Sequence, residues 1–127
     1  MRGSVYNGFS IITYTMMKKR IWISFDLGVT GDYDRLYEWL DAHNAVECGN
    51  GFATLEYEFK NYTSDYIDLF SELKNDIAQY VEDTPKTRIY VLTVAKDIDT
   101  PGGTFIFGKR KASLWEGYAS KEETIDR

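Results

Sequence analysis

The sequence predicts an α+β chain in which two amphipathic helices cover one face of an antiparallel-rich sheet. Three observations predict it. Segments of strict apolar–polar alternation flank two windows with apolar residues at helical spacing, so periods of 2 and 3.6 take turns along the chain. Asn50-Gly51 sits between two alternating runs, which is a strong hairpin signal because both residues tolerate positive φ. The aromatic share is 16% and includes ten tyrosines, residues that suit half-buried sheet surfaces.

The elements follow in order. Ile21–Leu27 is the first clear strand: Ile21, Ile23, Phe25 and Leu27 alternate with Trp22, Ser24 and Asp26. The first set should lie under helices and the second on the more open face. Gly28 and Gly31 turn the chain, and Thr30 or Asp32 can cap a helix running to about His43. Tyr33, Leu36, Tyr37 and Leu40 form its buried stripe, with Asp34, Glu38 and Asp41 off it. Ala45–Cys48 and Phe52–Phe59 are the arms of the hairpin. In the second arm Ala53, Leu55, Tyr57 and Phe59 alternate with Thr54, Glu56 and Glu58. Thr63 or Ser64 can cap the second helix, whose stripe is Tyr66, Phe70, Leu73, Ile77 and Val81 and which Asp83-Thr84-Pro85 ends. Ile89–Ala95 is almost unbroken apolar sequence and reads as an interior strand buried on both faces. Thr100-Pro101-Gly102-Gly103 turns the chain into a last short strand, Thr104–Phe107.

That order is β-α-β-β-α-β with an added C-terminal strand, the ferredoxin-like split βαβ arrangement, with both helices on one face. Residues 18–115 read as a single domain, 1–17 as an N-terminal extension and 116–127 as a polar tail. Two readings stand for residues 1–15: a segment dispensable to a start at Met16 or Met17, or an extra strand over Ser10–Thr15.

Length and charge bound the function. The 127 residues suffice for one domain, and 43% hydrophobic with 28% charged residues is a globular balance. A net charge of −5 weighs against nucleic acid as a partner, because such affinity rests on cationic side chains; any phosphate-binding role needs a local basic patch on an acidic protein. The lone Cys48 allows no internal disulfide and reads as a small buried hydrophobe near a turn, so a reducing, cytoplasmic setting fits. No run approaches the ~20 apolar residues of a membrane helix. The single histidine, His43, excludes a histidine-based zinc cluster and reads as a cap at the first helix's C-terminal end.

The strand Ile23-Ser24-Phe25-Asp26-Leu27 resembles the opening of virulence-associated protein D and of the small CRISPR-associated adaptation protein. Arg88-Ile89-Tyr90-Val91-Leu92, ahead of a late added strand, resembles the latter family's fourth strand. The resemblance covers residues 18–110 in element order. It implies a homodimer of ferredoxin-like subunits, either a metal-dependent nuclease or a structural dimer, in which Asp26 would bind Mg²⁺ with its symmetry mate. Two departures stand out. The first helix opens Asp32-Tyr33-Asp34-Arg35, with one basic residue where the family often has several arginines, and Phe52–Phe59 matches the family's aromatic–glutamate hairpin only loosely.

Asp26 is the candidate catalytic and metal-ligating residue, because a carboxylate ending an apolar strand needs a partner or a function. The plainer reading makes it the cap of the turn at Gly28. Glu56 and Glu58, on the same expected face, would widen a metal site or simply solvate the strand. Lys109, Arg110 and Lys111, with Trp115, and Lys18-Lys19-Arg20, with Trp22, are the candidate substrate or partner contacts, and the two basic runs could jointly form one positive patch. Two functions are thus in view. One is a non-catalytic homodimeric interaction module in which Trp22 and the tyrosines are the main contacts. The other is a Mg²⁺-dependent endonuclease of RNA or DNA that uses Asp26. The acidic balance favours the module.

Overall fold

The computed structural model describes residues 16–120. The expected extra strand over Ser10–Thr15 lies outside them. The elements are β1 (Met17–Asp26), α1 (Tyr33–Ala42), β2 (Val46–Gly49), β3 (Phe52–Phe59), α2 (Tyr66–Ile77), β4 (Arg88–Thr93) and β5 (Gly102–Phe107), followed by a short 3₁₀ turn, Tyr118–Ser120. The five strands form one sheet in the order β2-β3-β1-β4-β5. All neighbours are antiparallel, and the order puts β1 at the centre.

The alternation in β1 sorts as expected. Ile21 and Ile23 are fully buried, whereas Ser24 and Asp26 are exposed. The buried set joins Leu36, Leu40, Leu55, Leu69, Leu73, Ile77 and Val91 in one core beneath both helices. Each such Leu or Ile contributes about 1.5–3 kcal/mol relative to exposure. Two threonines, Thr93 buried and Thr54 half-buried, fasten the central strand: Thr93 Oγ1 donates to Arg20 O at 3.0 Å and Thr54 Oγ1 to Ile21 O at 2.9 Å.

Several elements differ from the sequence expectation. β1 begins at Met17 rather than Ile21, which draws Lys18-Lys19-Arg20 into the sheet. In α1 the buried residues are Leu36, Trp39 and Leu40, and Tyr37 is 52% exposed. The expected stripe included Tyr37 and omitted Trp39, and the larger indole takes the interior instead. Asp65, not Thr63 or Ser64, caps α2, its Oδ1 accepting from Ile67 N at 2.9 Å. α2 stops at Ile77, and Val81 reaches the core from the turns that follow. β4 is interior but buried on one face only, with Tyr90 and Leu92 half-buried on the other. β5 begins at Gly102, so both glycines expected in a turn belong to the strand. A register shift between Ile89 and Tyr90 lets consecutive Ile106 and Phe107 both reach the core.

The hairpin forms around Asn50-Gly51, but only Gly51 uses a positive φ, +67°. A register shift between Glu47 and Gly49 absorbs the remainder. Cys48, expected to be buried, is exposed on β2, because an edge strand with residues 46–48 all exposed has no apolar layer over it.

Candidate functional site

The helix-free face of the sheet is built from the other half of each alternation. Along β1 it presents Trp22, Ser24 and Asp26, along β4 Arg88, Tyr90 and Leu92, and along β5 Phe105. The register sets Trp22 between Thr54 and Leu92, and Tyr90 beside Phe105. The Tyr90 and Phe105 rings meet edge-on at 5.0 Å. A Cβ on Gly103 would come within 2.6 Å of the Tyr90 hydroxyl, so a glycine on β5 makes room for that ring. Phe52, 39% exposed, extends the apolar centre across β3. Charges sit toward its ends. Arg20 and Lys18 pair in register with Glu56 and Glu58, Arg20 reaching Glu56 at 3.9 Å, and Asp26 stands opposite Arg88.

Asp26 is exposed, and its Oδ1 accepts from Gly28 N at 2.9 Å. That is the turn-capping geometry, with Gly28 at φ +81°. Glu56 and Glu58 do share its face. At ~3.3 Å per residue along β1, however, their partners Arg20 and Lys18 lie about 20–26 Å from Asp26, so the three carboxylates do not converge. Among the described residues no group of three or more His, Cys, Asp or Glu side chains is placed to hold a metal ion. The two basic runs do not combine either. Lys18-Lys19-Arg20 opens β1, whereas Lys109-Arg110-Lys111 follows β5 at the end of the sheet where β1 finishes. Trp115 is 73% exposed beyond the last strand, and Trp22 is half-buried in the middle of the open face.

The sequence reading missed a polar cluster under the helices. Asp76, near the end of α2, accepts from Trp39 Nε1 of α1 at 3.2 Å and from the Tyr57 hydroxyl of β3 at 2.9 Å. His43 caps α1 as expected, with its Nδ1 2.8 Å from Trp39 O. It also stacks on Tyr57 at 5.6 Å and places Nε2 3.9 Å from Asp76. Burial pushes the Tyr57 phenol far up, helped by the hydrogen bond to Asp76 and the negative charges of Asp76 and Glu72. Tyr62 is raised as well, by burial and then by Tyr66 and Asp97, and its hydroxyl donates to Val94 O at 2.7 Å. A signal for the cluster existed: a tyrosine and a tryptophan in buried positions must find polar partners. Asp76, beside the last buried position of α2, was the carboxylate within reach.

Comparison with known proteins gives no matching family model, no significantly similar curated protein and no significantly similar solved structure. No helix among the described residues is long and apolar enough to cross a membrane.

Proposed function

We propose that this chain is a non-catalytic interaction module that pairs with a second copy of itself through the helix-free face of its sheet. We read its β-α-β-β-α-β order, with the strand order β2-β3-β1-β4, as a ferredoxin-like arrangement extended by β5. One observation carries the reading. An antiparallel sheet with one covered face ordinarily shows water a polar surface, but the centre of this one holds Trp22, Tyr90, Leu92 and Phe105. Arg20, Glu56, Asp26 and Arg88 stand toward its ends. An apolar, aromatic centre inside a charged rim is how protein interfaces are built. A single face that meets its own copy does so about a two-fold axis.

The test is the molar mass of the full chain by light scattering after size exclusion, with Trp22→Ala as the probe. Twice the chain mass is expected for the unmodified chain. Truncating a central interface tryptophan should weaken pairing by about 2–4 kcal/mol, roughly 30- to 1000-fold in Kd. A monomer at every concentration refutes the reading.

The Mg²⁺-dependent nuclease is the rival, and one placement favours it: Asp26 lies at the same sheet end as Arg88 and Lys109. The residues present do not fit a metal centre within one chain, since Asp26 is a single carboxylate with one oxygen already capping a turn. A second carboxylate would have to come from another copy. Cleavage of RNA or DNA that needs Mg²⁺ and is lost in Asp26→Ala, with the unfolding midpoint kept, would establish the rival. Absence of any nucleic-acid binding at low salt would eliminate it.

A further inference from the structure

The sheet end where β1 finishes and β4 begins has a feature that the self-association reading does not require. The loop before β4 and the segment after β5 wall a cavity of about 640 Å³, lined by Asp83, Thr84, Arg88, Lys109, Arg110 and Lys111. Four cations there face one carboxylate, in a chain whose net charge is −5. Local geometry holds them together. Gly108, at φ +78°, turns the chain tightly against the start of β4; a Cβ at this position would meet Thr87 O at 2.5 Å and Arg88 Cγ at 2.9 Å. Arg88 is oriented rather than loose. Its Nε donates to Lys109 O at 3.1 Å, and its guanidinium lies 5.1 Å from the centre of the Phe105 ring. The terminal nitrogens of that fork, and the charged groups of Lys109, Arg110 and Lys111, have no hydrogen-bond or ion-pair partner among the described residues.

We propose that this cavity binds a compact, multiply charged phosphate ligand, such as a diphosphate or a small phosphorylated molecule. A fixed guanidinium with its fork free suits bidentate contact to phosphate, and three exposed cations around it supply neutralising charge. The volume lies within the range of small-ligand sites. Charge decides against a polymer. An extended polyanion carries its charge onward every few ångströms, and beyond the cavity it would run over an acidic molecule. The other basic run is at the opposite end of β1 and cannot receive it.

The experiment is calorimetric titration of the full chain with inorganic pyrophosphate at about 50 mM salt, where screening is weak. Saturable binding at one site per chain is expected, with an affinity at least about tenfold lower in the double variant Lys109→Glu, Lys111→Glu. Both side chains are exposed, so the variant's unfolding midpoint should match that of the unmodified chain. Arg88→Lys keeps the charge but loses the fork, and a loss of several-fold is expected from it. No saturable binding, or equal affinity in the double variant, overturns the proposal. Sulfate bound as tightly as pyrophosphate overturns it too, since that reports only an ion atmosphere. A single-stranded oligonucleotide or a glutamate-rich peptide that binds more tightly than pyrophosphate, with affinity rising with length, would replace the compact ligand by a polymer. Because the readout is per chain, a monomer that binds pyrophosphate would refute the self-association reading and leave this one standing.

Discussion

Replacing Asp76 by alanine removes the one acceptor shared by two buried donors, and the cost can be worked from the geometry. Trp39 is fully buried and Tyr57 is 5% exposed, so their N–H and O–H find little water once the carboxylate is gone. A buried donor left unsatisfied costs about 1–3 kcal/mol. The Asp76 side chain is itself 31% exposed, so water can enter part of the vacated space and the low half of that range applies to each donor. The His43–Asp76 approach at 3.9 Å is also partly solvated and adds at most a few tenths of a kcal/mol. The expected loss is therefore about 2–4 kcal/mol, read from urea unfolding of the full chain at neutral pH. At ~3–5 °C per kcal/mol for a chain of this size, Tm should fall by roughly 6–20 °C. Asp99→Ala, at an exposed loop carboxylate, is the control and should stay within about 0.5 kcal/mol. Tyr57→Phe supplies the cycle: once Asp76 is alanine, deleting the hydroxyl should cost at least about 0.5 kcal/mol less than it does alone. A loss under about 1 kcal/mol, or no coupling in the cycle, would mean that the cluster is adventitious.

Two further outcomes follow from the same fold. Gly51→Ala forces a side chain into a backbone at φ +67° with its Cβ 2.7 Å from Phe25 O, so about 2–4 kcal/mol of destabilisation is expected from strain and steric overlap together, measured by the same unfolding assay. Alkaline stability is the second. The folded state raises the Tyr57 phenol above its unfolded value, so that contribution is fully present below about pH 10 and is lost as pH climbs beyond it, because the unfolded chain releases the proton first. Tyr62 acts in the same sense. The unfolding midpoint should thus fall above pH 10, and Tyr57→Phe should flatten the decline; an unchanged profile would show that the phenol does not stay protonated in the fold.

Much of the architecture was legible because two periods dominate the chain. β1, β3, both helices and the Asn50-Gly51 turn came from alternation, stripe and turn chemistry, and the capping role of His43 from its place at a helix end. What failed to show was whatever depends on competition between neighbours. Tyr37 and Trp39 are both plausible on a stripe, and only packing against α2 and β3, with Asp76 ready to receive the indole N–H, selects Trp39. Ile89–Ala95 looked buried on both sides because its residues are apolar. Their outward half instead contributes Tyr90 and Leu92 to the open face, which is where the proposed interface arises. At Asp26 the turn-capping contact was foreseen beside the metal-ligand reading, and the capping contact is the one formed, with Gly28 N. The Asp76 cluster escaped because its members come from three elements, and one sequence carries no record of which ends meet.

Strand direction explains the fate of the two basic runs. β4 is antiparallel to β1 and β5 to β4, so β5 runs the same way as β1. A cationic segment that follows β5 must then emerge at the end where β1 finishes, beside Asp26 and Arg88, while Lys18-Lys19-Arg20 stays where β1 begins. Composition reports only the sum, −5, and a hunt for charge clusters finds two equivalent candidates. Topology makes them unequal. In the first run Lys18 and Arg20 pair in register with Glu58 and Glu56, Arg20 reaching Glu56 at 3.9 Å, whereas the second joins Arg88 around a cavity whose lining holds one carboxylate, Asp83. An acidic protein can therefore hold a cation-lined recess without contradiction, because the added strand carries its charge to the end of the sheet where Arg88 joins it.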